Sequence, residues 1–171
     1  MIDATDFKIL AELVDNAKAS FAEIGRKLSL HPNVVAYRVN KLEKHRIIKD
    51  YTADVDLEKL GIAEQILVGA SFPRDCERED IIEKIATIPQ TVKVVSSLGE
   101  PESIMFLVGK NKSEIEKLMS KLRSLNIKIE YTGSIIRTYD EGRLGNFLKM
   151  LAKELETQNG ENENGSLIKG G

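Results

Sequence analysis

The fold of the N-terminal part is decided by residues 20–44, which read SFAEIGRKLSLHPNVVAYRVNKLEK. Ser20 and Glu23 form the S-x-x-E pattern of a capping box, which predicts a helix that begins directly after Ser20. Pro32 suits the first position of a second helix, because its missing N–H would have no partner there. The stretch therefore predicts two helices joined by a short turn, the second running to about Lys44.

A third helix precedes this pair. Asp3 is placed to cap its N-terminus, and Phe7, Leu10 and Val14 recur on one apolar stripe. Inside the middle helix, Gly25 costs about 1 kcal/mol relative to alanine, which predicts that another helix crosses there too closely for a side chain. We therefore expect three closely packed helices.

The helix that begins at Pro32 divides into two faces. Val35, Val39 and Leu42 recur at i, i+4 and i+7, which predicts that they pack inward. The side chains left for the outer face are Asn33, Val34, Tyr37, Arg38 and Lys41. A helix-turn-helix motif presents such amide, aromatic and guanidinium groups to the major groove of DNA. After this helix, residues 47–53 have the β-rich composition of a wing.

Charge is concentrated around the same helix. The chain has 25 Lys and Arg against 27 Asp and Glu, a net charge of −2 that excludes a uniformly basic nucleic-acid coat protein. Between residues 26 and 49, however, seven basic residues accompany the single acid Glu43. Such a block attracts a polyanion, although basic residues on an exposed helix also serve simply to keep it solvated. The helix-turn-helix pattern favours the polyanion.

From Ile62 onward the pattern becomes strand, helix, strand, strand, helix, strand. Ile66, Val68 and Ala70 alternate as in a half-buried strand, and Asn111 is placed to cap the second helix. The β-α-β-β-α-β order is the ferredoxin-like arrangement, in which two helices cover one face of a sheet. The fold class is therefore predicted to be α+β, with an open sheet face that needs a partner.

The predicted organisation has five parts. They are a winged helix-turn-helix domain at 1–53, a linker at 54–62, a ferredoxin-like domain at 63–140, a C-terminal helix at 141–158 and a disordered tail at 159–171. The helix is amphipathic and is expected to cover the domain or a neighbouring subunit. The tail has too little apolar surface to offset its ordering entropy.

Composition excludes several classes of protein. No window approaches the ~18 apolar residues of a membrane-spanning helix, and the N-terminus lacks an apolar signal core, so a cytoplasmic protein is expected. Cys76 is the single cysteine, and His31 and His45 are the only imidazoles, so no metal or cofactor is expected. Because no nucleophile, base, metal cluster or cofactor loop converges, we do not expect an enzyme.

Taken in order, the motifs resemble those of a known family. They are Asp3-x-x-Asp6-x-x-Ile9-Leu10, Ser20-x-x-Glu23-Ile24, Arg38-Val39-x-Lys41-Leu42-Glu43 and Ile47-Ile48-Lys49-x-Tyr51. From about residue 2 to residue 140 the sequence resembles the Lrp/AsnC, or feast/famine, transcription regulators. The resemblance implies a sequence-specific DNA-binding regulator whose ferredoxin-like half responds to amino acids. It also implies a homodimer or a higher even-numbered oligomer paired through the sheets.

Residues expected to bind double-stranded DNA follow from the helix faces and the resemblance. Those expected at bases are Asn33, Val34, Tyr37 and Arg38, and those expected at phosphates are Lys41, Lys44, Arg46 and Lys49. His31 stands where the family usually has a capping serine, so it either binds phosphate when protonated or is a solvated or capping imidazole. Ser29 and Arg46 stand where glycines commonly close the two neighbouring turns of the family.

The resemblance also implies an amino-acid effector at an interface between subunits. The family's Gly-x-x-Asp-Tyr/Phe hairpin becomes Gly99-Glu100-Pro101-Glu102-Ser103, which keeps the glycine, lengthens the acid and loses the aromatic residue. The effector residues expected on this basis are Gly99, Glu102, Thr132 and Ser134, with the carboxylate pairing with an α-ammonium group. A solvated carboxylate and hydroxyl groups bonded within the sheet are the alternative.

One other function stays open, a metabolite-sensing subunit whose helical domain docks onto a protein and does not bind DNA. This alternative predicts binding with little dependence on DNA sequence. A DNA-binding regulator predicts instead a specific complex that weakens steeply with salt, because phosphate contacts release counterions.

Overall fold

The computed structural model describes residues 2–74, 77–138 and 143–167, and for residues 159–167 it describes the backbone alone. Cys76 and the last four residues of the predicted tail lie outside the described residues. The chain divides into two units. The helical unit comprises Met1–Ala53 with Tyr139–Gly171, and the sheet unit comprises Asp54–Thr138.

The helical unit begins with the three predicted helices, α1 at Ala4–Asp15, α2 at Phe21–Leu28 and α3 at Pro32–Lys44. Both predicted N-caps are confirmed. Oδ1 of Asp3 accepts a hydrogen bond from the Asp6 N–H at 2.9 Å, and Oγ of Ser20 accepts one from the Glu23 N–H at 3.2 Å. The side chains that form the core of this unit are Ile9, Leu13, Ile24, Val35 and Val39.

Gly25 does allow a close approach, but the predicted partner is wrong. A Cβ atom at this position would lie 2.5 Å from the carbonyl oxygen of Leu30, in the turn between α2 and α3, whereas the backbone nitrogen of Pro32, the first residue of α3, would be at 3.5 Å. The Leu30 N–H donates to the Gly25 carbonyl at 2.8 Å, so the turn folds back over the end of α2. Ser29 closes that turn with a φ of 57°, in the left-handed region where glycine is favoured.

The wing predicted at residues 47–53 is wrong, because the backbone there belongs to no strand. The N–H groups of Ile47 and Ile48 instead bond back to the Leu42 carbonyl, at 2.9 and 3.3 Å. Arg46, at a φ of 54°, makes this reversal. The backbone donors that a strand would offer to a neighbour therefore terminate α3, and Ile48 packs against the helical core.

The sheet unit has the predicted ferredoxin-like order. Its elements are β1 at Glu64–Ser71, α4 at Arg78–Ala86, β2 at Thr91–Ser96, β3 at Ser103–Gly109, α5 at Lys112–Ser124 and β4 at Lys128–Ser134. The strands form one sheet in the order β2-β3-β1-β4, and every neighbouring pair is antiparallel. The Asn111 cap of α5 is confirmed, since its side chain accepts from the Glu114 N–H at 3.0 Å.

The two faces of the sheet differ in burial. Val68, Met105 and Leu107 are fully buried on the face that packs against α4 and α5. Val95 and Tyr131 lie on the other face and remain 37% and 39% exposed. Apolar side chains thus stay accessible on the face for which the sequence predicted a partner.

A long helix, α6 at Arg143–Leu167, completes the helical unit and packs along α1. It continues past Gln158, whereas the sequence predicted a disordered tail from residue 159. Each residue added to an existing helix gains a backbone hydrogen bond, and residues 159–167 contain no proline, so low apolar content alone does not end the helix. Among the described residues, no helix is long and apolar enough to cross a membrane.

Candidate nucleic-acid interface

The outer face of α3 presents the predicted short, apolar and aromatic side chains together. Asn33 is exposed, Val34 is 41% exposed and Tyr37 is 70% exposed. On the opposite side of the same helix, Val35 and Val39 are buried in the helical core. Because the inward side chains hold the helix rigidly, the outward ones project into solvent from fixed backbone positions, where a ligand can contact them.

His31 begins this helix as a capping residue. Its Nδ1 accepts a hydrogen bond from the Asn33 N–H at 3.2 Å, and its backbone is extended, as an N-cap requires. The capping role that the sequence allowed for His31 is therefore the one for which the structure has a hydrogen bond. The imidazole is exposed beside Asn33 and Val34, so it also borders the outer face of α3.

The prediction that Arg38 turns outward is wrong. Its Nη1 donates to Oδ2 of Asp3 and to Oδ1 of Asp6, both at 2.8 Å, so the guanidinium lies against the N-terminus of α1. The Asp6 side chain is only 4% exposed and that of Arg38 is 26% exposed. One residue is about 100° of rotation around a helix, so Arg38 can face α1 while Tyr37 faces solvent.

The same two carboxylates also cap α1. The Asp6 carboxylate accepts from the Asp3 N–H at 3.1 Å, which completes the capping box. Partial burial acts to raise the pKa of Asp3, but the hydrogen bonds from Arg38 and from the Asp6 N–H hold that pKa below its ordinary value of 3.8. Hydrogen bonds to Asp3 and Asp6 raise the pKa of Arg38. One ionised cluster therefore joins α3 to the start of α1.

Basic side chains border the outer face of α3 at its C-terminal end. Lys44, Arg46 and Lys49 are exposed, and Lys41 is half-buried. Within the part of the chain that the structure describes, none of these four forms an ion pair, whereas Lys27 is paired with Glu12. The four positive charges are therefore available to an external anion.

Tyr51 makes a contact with α3 that was not predicted from the sequence. Its hydroxyl donates to Oε1 of Glu43 at 2.7 Å, which holds the segment after α3 against the helix. Burial, together with this hydrogen bond, raises the pKa of Tyr51 to about 12. The two residues meet only because the chain reverses at Arg46, so no local pattern indicates the pairing.

The raised pKa of Tyr51 predicts a loss of stability in alkaline solution. An unfolded tyrosine has a pKa of 10.0, so the unfolded state releases the phenolic proton first as the pH rises. The free energy of unfolding should therefore decrease between about pH 10 and about pH 12. NMR titration of ¹³C-labelled tyrosine, with Tyr51→Phe to identify the resonance, measures the shift directly.

Glu43→Gln provides the control for this prediction. The amide removes the negative charge that opposes ionisation, so the pKa of Tyr51 should fall towards 10.0. A native Tyr51 resonance that titrates near 10.0 would show that the Glu43 contact has no effect on the phenol.

The predicted effector residues lie in two separate places within one chain. Gly99 and Glu102 line a cavity of about 810 Å³ beside the ends of β1 and α4. Thr132 and Ser134 line another, of about 600 Å³, between β4 and α5. A single chain therefore does not bring the four residues together.

Glu102 already has partners inside the chain. Its Oε2 accepts from the Phe72 N–H at 2.8 Å, and its Oε1 is bonded to the Arg78 guanidinium, which also lies over the Phe72 ring. No local pattern predicts the pairing with Arg78, because this residue lies 24 positions from Glu102 on another element. In this structure the carboxylate holds the hairpin against the end of β1, so an ammonium group bound there would share the carboxylate with Arg78.

Comparison with known proteins gives the family. The AsnC-type helix-turn-helix domain matches residues 2–43. The HTH-type transcriptional regulator Rv2324 of Mycobacterium tuberculosis is 30% identical over 123 residues, which are 72% of this chain and 83% of that protein. The chain belongs to the Lrp/AsnC family of transcriptional regulators. As a member of the Lrp/AsnC family, it is a DNA-binding regulator with a helix-turn-helix domain and an α+β second domain.

Other Lrp/AsnC-type proteins agree with this assignment. The HTH-type transcriptional regulator LrpC of Bacillus subtilis is 38% identical over 88 residues, which are 52% of this chain and 60% of that protein. The solved structure of B. subtilis LrpC has a TM-score of 0.70 at 27% identity, covering 82% of this chain and 98% of that one. The transcriptional regulator NMB0573 of Neisseria meningitidis, solved as a complex with L-Met, has a TM-score of 0.74 at 19% identity, covering 82% and 93%, and shares the fold.

Proposed function

We propose that α3 reads DNA sequence through Asn33, Val34 and Tyr37. The observation that carries this proposal is the 70% exposure of Tyr37 on a helix whose opposite face is buried in the core. An exposed aromatic ring beside an amide offers base-edge and thymine-methyl contacts in a major groove. His31, at the start of α3, is proposed to border the same contact.

The charges around α3 are proposed to set the register on the duplex. Lys41, Lys44, Arg46 and Lys49 contact phosphates, which fix orientation without reading sequence. Arg38 has a different role in this proposal from the one that the sequence suggested. It positions α3 through Asp3 and Asp6 and does not approach a base.

Two copies are proposed to act together. One reading helix covers few base pairs, so useful affinity requires two helical units that bind together. The exposed sheet face with Val95 and Tyr131 supports pairing through the sheets.

A small amino-acid-like effector acts on this assembly in the proposal. Support comes from the two cavities of the sheet unit and from the NMB0573 complex with L-Met. In this proposal the protein acts as a cytoplasmic regulator and not as an enzyme.

The experiment is selection of bound fragments from genomic DNA, repeated with and without an amino-acid mixture. A regulator of this kind should enrich a symmetric site, and an effector should change the enrichment. Enrichment that is independent of sequence would support instead a helical unit that docks onto a protein.

Tyr37→Ala tests the reading face on the selected site. Affinity for that site should fall about tenfold, or ~1.4 kcal/mol, while affinity for unrelated DNA changes little. Val14→Ala, at an apolar side chain of α1 that is 46% exposed, is the matched control and should bind as the wild type does. Equal losses on specific and unrelated DNA would show that Tyr37 does not read bases.

A further inference from the structure

The helix α6 uses one face to dock on α1. Ala152 is fully buried on that face. A Cβ atom at Gly145 would lie 2.0 Å from Oδ1 of Asp15, so the Asp15 side chain lies directly against the backbone of α6 there. Ion pairs fix the register, with Nζ of Lys149 at 2.6 Å from Asp15. A second ion pair, between Lys8 and Glu156 at 2.5 Å, lies further along the two helices.

The opposite face of α6 carries a second, exposed stripe. Its members are Arg143, Phe147, Met150 and Glu154, at i, i+4, i+7 and i+11, which is the alternating spacing of a helix-pairing seam. All four are exposed, Phe147 by 51% and Met150 by 45%. Helical rotation places this seam about 180° from Ala152, so docking on α1 leaves it uncovered.

The seam is complementary to itself in one orientation. In an antiparallel pair centred between Phe147 and Met150, the ring of each copy meets the thioether of the other. Sulfur–aromatic contacts of this kind are favourable. The same alignment places Arg143 opposite Glu154 at both ends. A parallel pair would instead set Arg143 against Arg143 and Glu154 against Glu154, which is repulsive.

We propose that this seam is an interaction surface for a second copy of the chain, which it binds as an antiparallel α6 pair. The charges at its ends decide in favour of a self-contact, because they are opposite in sign and spaced equally about the apolar centre. Within the described part of the chain neither Arg143 nor Glu154 has an ion-pair partner, so both remain available. Leu144, 56% exposed, lies beside the seam and adds apolar surface to the contact.

Charge exchange in the full-length protein tests this proposal. Arg143→Glu and Glu154→Arg each turn two attractive pairs into two repulsive ones. Each should therefore weaken about tenfold the association step that α6 forms, which sedimentation detects beyond any pairing through the sheets. The double variant, with both charges exchanged, should recover wild-type association. Lys153→Glu makes the same change of charge one residue off the seam and should associate normally.

Disulfide trapping reads the α6 contact itself, whichever other surfaces hold two copies together. In a Cys76→Ser background, Arg143→Cys protein mixed with Glu154→Cys protein should form mixed disulfides about tenfold faster than either forms with itself. Two results would overturn the proposal: a double charge exchange no better than the single ones, or no preference for the mixed disulfide. A seam that binds a different protein would give both of these results in the purified chain.

Discussion

Arg38→Ala is expected to lower the free energy of unfolding of the helical unit by about 3 kcal/mol, within the range for a buried ion pair that loses one partner. The cost arises mainly at Asp6, whose side chain is 4% exposed and whose carboxylate would lose the guanidinium. Asp3 is half exposed and contributes less, because water can replace part of the interaction. Urea denaturation followed by circular dichroism measures the loss.

Acid sensitivity gives an independent test of the same cluster. The pKa of Asp3 is lowered in the folded protein, so the stability it contributes is present above its ordinary pKa of 3.8 and is lost as the pH falls. Arg38→Ala should remove most of this dependence, whereas Arg38→Lys should keep part of it. A folded Arg38→Ala protein of unchanged stability that no longer binds its DNA site would contradict the positioning role and restore a direct contact.

Local signals in the sequence were sufficient for α1 to α5 and for the four strands of the sheet. Asp3, Ser20 and Asn111 each form the cap that the residue three positions later helps to complete, so the information lies within one turn. The inward face of α3 was equally predictable, because Val35 and Val39 follow the helical period. The α+β order then required only that the alternating and helical patterns be placed in sequence.

The wing and the close approach at Gly25 failed for a different reason. Both depend on which backbone groups form hydrogen bonds in the neighbouring turn, and the residue types alone do not indicate this. Ile47 and Ile48 have strand-forming side chains, yet their N–H groups are taken by the Leu42 carbonyl at the end of α3. At Gly25 the approaching group is the carbonyl of Leu30, only five residues away.

Contacts between distant residues decided the site, and these were not predictable from one sequence. Arg38 has the correct spacing for the outer face of α3, but its partner Asp6 lies 32 positions earlier and is brought near only by packing. Glu102 and Arg78 are a similar case in the sheet unit. An exposed charge and a paired one have the same local pattern, so composition alone could not separate Arg38 from Lys44.

The affinity of the protein for its DNA site is expected to fall about 10⁴-fold between 50 and 200 mM salt. The estimate follows from the proposed assembly, in which Lys41, Lys44, Arg46 and Lys49 would give four phosphate contacts on each of two heads. Each contact releases condensed counterions, so the logarithm of affinity should fall with the logarithm of salt with a slope of about −7. Fluorescence anisotropy of a labelled fragment across a salt series gives the slope.

Replacing two of the four basic residues tests whether they cause the salt dependence. Lys44→Gln with Lys49→Gln should reduce the magnitude of the slope by between about 3 and 4, since each variant removes one contact from each head. Lys18→Gln with Lys153→Gln removes the same charge from exposed positions of the helical unit away from α3, and the slope should remain near that of the wild type. Equal changes for the two pairs would mean that net charge, and not the border of α3, attracts the duplex.

A wild-type slope of about half the expected value would mean that a single head binds, because the slope is proportional to the number of phosphates contacted.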